Sequence, residues 1–303
     1  MRKKILILGG TGFIGNHLSK KALEKNFQVT ILSKNQAKYF PKRGDINYIT
    51  ADISDKDNLK KELLDSNFDY VVNLSGYVDH SPFSKGGRKV IDTHFYGLQN
   101  VIQSINWSGL KRFVQIGSSD EYGNNPAPQN EDMIPSPISP YSLAKTASSQ
   151  LLQLLSITEK FPAVVLRLFL VYGPDQNKER FLPQIIQGCF SKTSFPSSSG
   201  DQFRDFCYVD DIVDGIFSAF ESDQSNGEII NIASGKPVKI KEVINKVIGI
   251  VGHGEPDYGK IPYRDSENMN LHADISKALK ILNWEPKVSL DDGLTLTVNS
   301  YKD

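Results

Sequence analysis

Glycines at every third position, Gly9, Gly12 and Gly15, follow directly on the apolar run Ile5-Leu6-Ile7-Leu8 and lead into residues 16–25, which carry helix-type spacing. A strand that turns through glycines into a helix constrains this fold more than any other feature of the chain. An unbroken β-branched and leucine run suits a strand buried on both faces, as in parallel sheets. The first glycine permits the tight turn, the second lets backbone approach a pyrophosphate, and the third lets the helix pack closely on the strand. Gly9, Thr11, Gly12, Phe13, Ile14 and Gly15 are therefore the expected dinucleotide contacts, with the anion on the free N–H groups and positive dipole end of the helix.

The second apolar run, Phe27 to Leu32, ends in Ser33-Lys34-Asn35, where a free ribose 2′-hydroxyl usually meets an Asp or Glu. A small hydroxyl with Lys34, supported by Lys38 or Arg43, suits a 2′-phosphate instead. NADP(H) is the expected cofactor, with NAD(H) less favoured.

Strand-like runs recur at 46–49, 70–74, 113–116 and 163–169, separated by helical stretches at 55–65, 86–105 and 141–159. That alternation predicts an α/β chain, a Rossmann-type doubly wound parallel sheet. After Gly173-Pro174 the texture changes to short segments broken by Gly, Pro and Ser. The expected division is a dinucleotide-binding domain over 1–170, rejoined by about 207–233, and a smaller, loop-rich substrate domain over most of 171–303.

Basic and acidic residues balance at 35 each, so no charge field points to nucleic acid or a membrane surface as partner. Cys189 and Cys207 are the only cysteines and have no metal-ligand companions, which fits a reducing cytoplasm and no metal. No segment has the apolar length of a membrane span. Leu151, Leu152, Leu154 and Leu155 make one helix apolar on more than one face, one side for the sheet and the other for a second subunit of a homodimer, with deeper burial within the monomer as the alternative.

Tyr141 and Lys145 lie four residues apart, on one helix face. The spacing alone arises readily by chance in a chain with this many tyrosines and lysines; its information lies in position. Ser118 and Ser119 close the run Phe113 to Ile116, at the strand end where an open α/β sheet keeps its ligand crevice. A free phenol has a pKa of about 10, so Tyr141 needs preferential stabilisation of its phenolate to exchange protons, from Lys145 and the cofactor's positive ring. Ser118 then holds the substrate oxygen where charge develops.

With these motifs in order, the chain resembles the extended short-chain dehydrogenase/reductases of the nucleotide-sugar epimerase, dehydratase and ketoreductase group. The resemblance runs nearly end to end, through Gly9 to Gly15, Asp52-Ile53, Ile116 to Gly123, Tyr141 and Lys145, Arg167 through Tyr172-Gly173-Pro174, Arg204-Asp205-Phe206 to Asp211, and Asn283 to Pro286. It implies that Asp52 and Ile53 contact the adenine, that Leu74, Ser75 and Gly76 line the cofactor, and that Ser118, Tyr141 and Lys145 form a catalytic triad. It also implies that Arg204 and Arg264 grip a nucleoside diphosphate. Arg180 joins them as a substrate candidate, because the chain has eight Arg against twenty-seven Lys and these three fall in the expected substrate domain. Tyr77, His80, Ser119 and Asp120 complete the substrate set. Two departures bear on substrate orientation: Leu170 and His94 stand where relatives usually carry Asn.

The expected reaction is NADPH-dependent reduction of the 4-keto group of a nucleotide-linked deoxysugar. A 4,6-dehydratase usually has an Asp-Glu or Ser-Glu pair after the triad hydroxyl, where this chain has Ser119-Asp120 with a single shorter carboxylate, and a 4-epimerase usually carries the acidic ribose ligand absent at Ser33. These two reactions are the alternatives, and a non-enzymatic NADP-binding regulator is a distant third.

Overall fold

The computed structural model describes residues 2–35, 46–64, 66–263 and 267–302. In chain order the strands are β1 Lys4–Leu8, β2 Gln28–Ser33, β3 Ile46–Thr50, β4 Tyr70–Asn73, β5 Arg112–Ser118, β6 Ala163–Leu168, β7 Leu170–Tyr172, β8 Ser194–Ser197, β9 Phe203–Tyr208, β10 Ile229–Ile232, β11 Pro237–Lys239, β12 Glu255–Tyr258 and β13 Asn270–Leu271. The helices are α1 Phe13–Glu24, α2 Lys56–Leu63, α3 Gly87–Ile91, α4 Gly97–Ser104, α5 Pro140–Glu159, α6 Phe181–Ser191, α7 Val209–Glu221, α8 Ile240–Val251, α9 Ser276–Leu282 and α10 Leu290–Asn299.

Seven parallel strands form the central sheet in the order β10-β6-β5-β4-β1-β2-β3. Successive β1 side chains feed opposite cores: Ile5 and Ile7 pack on one face of the sheet, Leu6 and Leu8 on the other. Both faces are covered, which is why the strand reads as a continuous apolar run. Strand order reverses between β1 and β4, and in an open α/β sheet the ligand crevice lies outside the carboxyl ends of the strands at that reversal. The Rossmann-type doubly wound sheet expected from the sequence is the observed one.

Two expectations are corrected. The stretch 86–105 is not one regular helix: α3 and α4 are joined by a π-helical turn, Asp92–Tyr96, whose wider winding carries His94 into a buried position. Nor is the C-terminal part loop-rich. Leu182, Ile185, Ile186 and Cys189 on α6, with Ile240, Val243, Ile244 and Val247 on α8, repeat at helical spacing and share one core with α10. The Gly, Pro and Ser between those helices hid their periodicity. A second sheet, β11-β9-β13 with β7 on β9, stands beside this core, and α7 and β10 return the chain to the central sheet.

Candidate active site

The turn after β1 opens into a cleft of about 770 Å³ at the carboxyl ends of β1, β2 and β4. Gly9 holds φ +75°, and a Cβ there would stand 2.9 Å from the Leu74 carbonyl, so the turn and the end of β4 meet only because no side chain intervenes. A Cβ on Gly15 would lie 2.6 Å from Gly10 Cα, so the third glycine lets the helix close on the turn that follows β1. Gly12 caps α1, and the first helical bond is Asn16 N to Gly12 O at 2.9 Å. The N–H groups of Phe13, Ile14 and Gly15 precede that bond and are the free donors an anion needs. The side chains of Phe13 and Ile14 turn away into the neighbouring cores, so any ligand contact from them is through backbone.

Gly9, Thr11, Gly12, Ser33, Lys34, Asp52, Ile53, Leu74, Ser75, Gly76 and Tyr77 all line this cleft. Its size, bare backbone turn and helix N-terminus fit a dinucleotide. At the ribose end, Lys34 Nζ lies 2.7 Å from Asp52 Oδ2, and Asp52 also accepts from Ser54 N at 3.0 Å and Ser54 Oγ at 2.7 Å. Burial by itself raises the Asp52 carboxyl, but the bonds from Lys34 and Ser54 hold it below the usual carboxylate range. Ser33 Oγ donates to Asn35 O at 2.7 Å. Lys34 therefore reaches the cleft with its charge already matched, a pairing that the sequence expectation of a 2′-phosphate partner did not include. Lys38 and Arg43 lie outside the described residues.

Ser118 ends β5, and Tyr141 and Lys145 sit on the first two turns of α5. That helix begins where it does because Ser139 caps it, accepting from Ser142 N at 3.1 Å, with Pro140 at its first position. The Ser118 side chain is a polar neighbour of the Tyr141 phenol. Burial raises the phenol pKa, the charge of Asp120 adds to this, and the Ser118 hydroxyl and Arg180 oppose it. Lys145 is fully enclosed, donates from Nζ to Ile116 O at 2.8 Å, and is pushed down to about 8 by burial, against the pull of Glu121 and Asp120. The protein's own groups thus do not lower the phenol as the sequence reading expected of Lys145.

The turn carrying Ser118 is held from beneath. Glu121, wholly buried, accepts from Ser118 N at 2.9 Å and Ser149 Oγ at 2.8 Å, and pairs with Arg167 at 2.9 Å. Arg167 lies 4.6 Å from the Tyr122 ring, whose hydroxyl donates to Asn231 at 2.7 Å. Sequence reasoning gave Glu121 and Arg167 no role; the available signal was an arginine inside the apolar strand AVVLRL. His94 was marked only as a departure. Its Nε2 lies 2.8 Å from Tyr77 O, and its ring stands edge-on to Tyr141 at 5.2 Å. Burial first, then the Lys145 charge, push His94 down to about 3, so it is a neutral wall of the site.

Of the expected substrate residues, His80 and Asp120 meet at 2.7 Å beside Tyr141, Ser119 is buried, and Arg180 is exposed at the start of α6. Arg204 is not paired with Asp205. It binds the Glu267 carboxylate and the carbonyls of Phe203 at 2.7 Å and Asn268 at 2.8 Å. Asp205 instead accepts from the backbone of Ser234, Gly235 and Ala273, a loop-holding role that explains its burial. The Arg204 loop reaches the triad segment through Asn268, which donates to Gly123 O at 2.9 Å. Arg264 lies outside the described residues. Among the described residues no cluster of His, Cys, Asp and Glu is arranged to hold a metal ion, and no helix is long and apolar enough to cross a membrane.

Residues 5–233 match the sequence profile of the NAD dependent epimerase/dehydratase family. A UDP-N-acetyl-alpha-D-glucosaminuronate decarboxylase from Bacillus cytotoxicus is 27% identical over 100% of this chain and 99% of its own length. Among solved structures, UDP-glucose 4-epimerase from Thermotoga maritima, with UDP-glucose, superposes with a TM-score of 0.88 at 27% identity, covering 99% of this chain and 98% of that one. UDP-glucuronic acid 4-epimerase from Bacillus cereus, in complex with UDP-glucuronic acid and NAD, gives 0.87 at 28% identity, covering 99% of both chains.

Proposed function

The chain belongs to the NAD dependent epimerase/dehydratase family, and from that footing we propose that it oxidises a nucleoside-diphosphate sugar at C4 and reduces it again in the same site. This is chemistry of the 4-epimerase or dehydratase type, within glycan biosynthesis. The observation that carries the reading is Tyr141, a buried phenol beside the Ser118 hydroxyl, one helical turn from Lys145 and joined through His94 to Tyr77 of the dinucleotide cleft.

Tyr141 Oη takes the proton of the sugar's 4-hydroxyl and later returns it, while Ser118 Oγ holds that oxygen. Lys145, fixed on the Ile116 carbonyl, keeps a positive charge behind the phenol. When bound, the nicotinamide would supply the two-electron oxidant for C4, the reductant that returns the hydride to the sugar and, in its oxidised form, a further positive charge. Arg180 and Arg204 are the cations on the substrate side, and a UDP-sugar is the first substrate class to try, since similar proteins were solved with UDP-sugars. Leu154 and Ile157, exposed on α5, form the face on which a second copy of the chain is proposed to sit.

NAD is the proposed dinucleotide. The net ketoreduction expected from the sequence drew in part on an NADP preference read from Ser33 and Lys34, and the pairing of Lys34 with Asp52 tells against that preference. Asp52→Asn should free Lys34 and raise affinity for NADP relative to NAD by about tenfold, or ~1.4 kcal/mol, within the range of one charge-assisted hydrogen bond. Titration of both dinucleotides by calorimetry checks this, and an unchanged ratio would show that Lys34 does not reach the ribose.

The reaction is tested by supplying UDP-glucose, UDP-N-acetylglucosamine and UDP-glucuronic acid with no added reductant and examining the recovered sugars by NMR. A product altered at C4, or dehydrated, is expected. Unchanged sugar in all three, or product that forms only once reduced dinucleotide is added and that consumes it stoichiometrically, contradicts the reading.

A further inference from the structure

The oxidation and reduction of C4 leave one polar pair at the site without a task. His80, from the loop after β4, and Asp120, from the turn after Ser118, approach to 2.7 Å between Nε2 and Oδ2. Their side chains are 37% and 30% exposed, so the pair is neither sunk in the core nor free in solvent. Both ends are anchored. The Asp120 N–H donates to Ser118 Oγ at 3.2 Å, and Asp79 beside His80 accepts from Ser81 N at 2.8 Å. The His80 ring stands edge-on to Tyr141, with centroids 5.6 Å apart, and the His94 ring lies 5.2 Å from the same ring.

A carboxylate at Nε2 fixes the tautomer, because that nitrogen must carry the hydrogen it donates. Nδ1 is then the basic nitrogen, and it makes no hydrogen bond among the described residues. The arrangement is that of an imidazole base oriented by a carboxylate, next to the group that handles the sugar's 4-oxygen. We propose that His80, oriented by Asp120, is a catalytic base and acid for the carbon next to the 4-keto group of a nucleotide-linked sugar. This rests on the nucleotide-sugar reading above and extends it from C4 to its neighbour.

Once C4 is a ketone, the C–H bond on the flanking carbon breaks and its proton passes to His80 Nδ1. The bonding pair forms the C–C double bond of an enolate, and the carbonyl π pair moves to the 4-oxygen, where Tyr141 and Ser118 donate hydrogen bonds. The imidazolium then lies against the Asp120 carboxylate, and return of the proton to carbon restores the ketone. No oxidant or reductant is consumed in this step. A hydride-only reductase has no use for such a pair.

The test needs no turnover of the dinucleotide. The full chain is incubated in D2O with UDP- and dTDP-linked 4-keto-6-deoxyglucose, and carbon-bound deuterium is followed by mass spectrometry. The wild type should exchange at least about 100-fold faster than buffer, His80→Asn should fall to the buffer rate, and Asp120→Asn, which keeps the imidazole but not its orientation, should lose about tenfold or more. Dinucleotide affinity within about twofold in every variant reports that each is folded and makes the loss specific to His80. Exchange in a folded His80→Asn at the wild-type rate, or wild type that binds the keto-sugars but exchanges no faster than buffer, overturns the assignment while leaving C4 chemistry standing. Failure to bind either keto-sugar rejects the nucleotide-sugar reading and the role of His80 with it.

Discussion

Replacing Tyr141 with phenylalanine should slow turnover by about 100 to 10,000-fold, the usual worth of a positioned proton-transfer group. Dinucleotide affinity and stability should hardly move. Tyr141 is 6% exposed and its ring packs against both His80 and His94, and phenylalanine keeps that ring in place. Only the hydroxyl is lost, and Ser118 Oγ keeps its bond from Asp120 N. The matched measurements are steady-state rates with the nucleotide sugar and a dinucleotide titration of each protein. A variant turning over within about threefold of wild type would show that proton transfer runs through another group, because that difference is far below what general acid catalysis supplies.

The largest stability effect is expected at Arg167→Met. Arg167 and Glu121 are both almost fully enclosed, and removing the guanidinium strands a carboxylate whose remaining partners are Ser118 N and Ser149 Oγ. Breaking a buried pair from one side typically costs about 3–5 kcal/mol, whereas replacing both partners with groups of similar volume is close to neutral. Denaturant unfolding should therefore show a steep loss for Arg167→Met and substantial recovery in the double variant Arg167→Met/Glu121→Gln. Because Glu121 also holds the Ser118 amide, the single variant should lose turnover beyond its loss of folded protein. Unchanged stability in Arg167→Met would mean that Glu121 is neutral or hydrated in the native protein.

The parts of this molecule legible in its sequence are those where one local rule decides. Ile5 to Leu8 must be apolar throughout because both faces of β1 are covered, and Gly9 and Gly15 occupy places where a Cβ would collide with backbone. The same holds for Tyr141 and Lys145, which one turn of helix keeps on one side. What sequence alone did not show was set by partners distant along the chain. Lys34 reads as a phosphate ligand until Asp52, on the next strand's loop, neutralises it at 2.7 Å. Arg204 adjoins Asp205 in sequence, yet alternation along β9 points the two side chains apart and Arg204 finds Glu267. His80 and Asp120 are 40 positions apart, and only the sheet order, which sets β4 beside β5, brings their loops together. The helices α6 and α8 were obscured for a simpler reason, since frequent Gly, Pro and Ser around them mask a periodicity that is nonetheless present in Leu182, Ile185, Ile186 and Cys189.

The central claim is that C4 is oxidised and the hydride then given back to the sugar within a single residence, and the fate of the hydrogen on that carbon tests it most directly. A UDP-sugar carrying deuterium at C4 is converted in ordinary water with a pool of unlabelled dinucleotide, and the product is analysed by mass spectrometry. Internal return predicts that the label stays in the sugar product and that none accumulates in the free dinucleotide. Deuterium in the free reduced dinucleotide, with product lacking the label, would contradict the account.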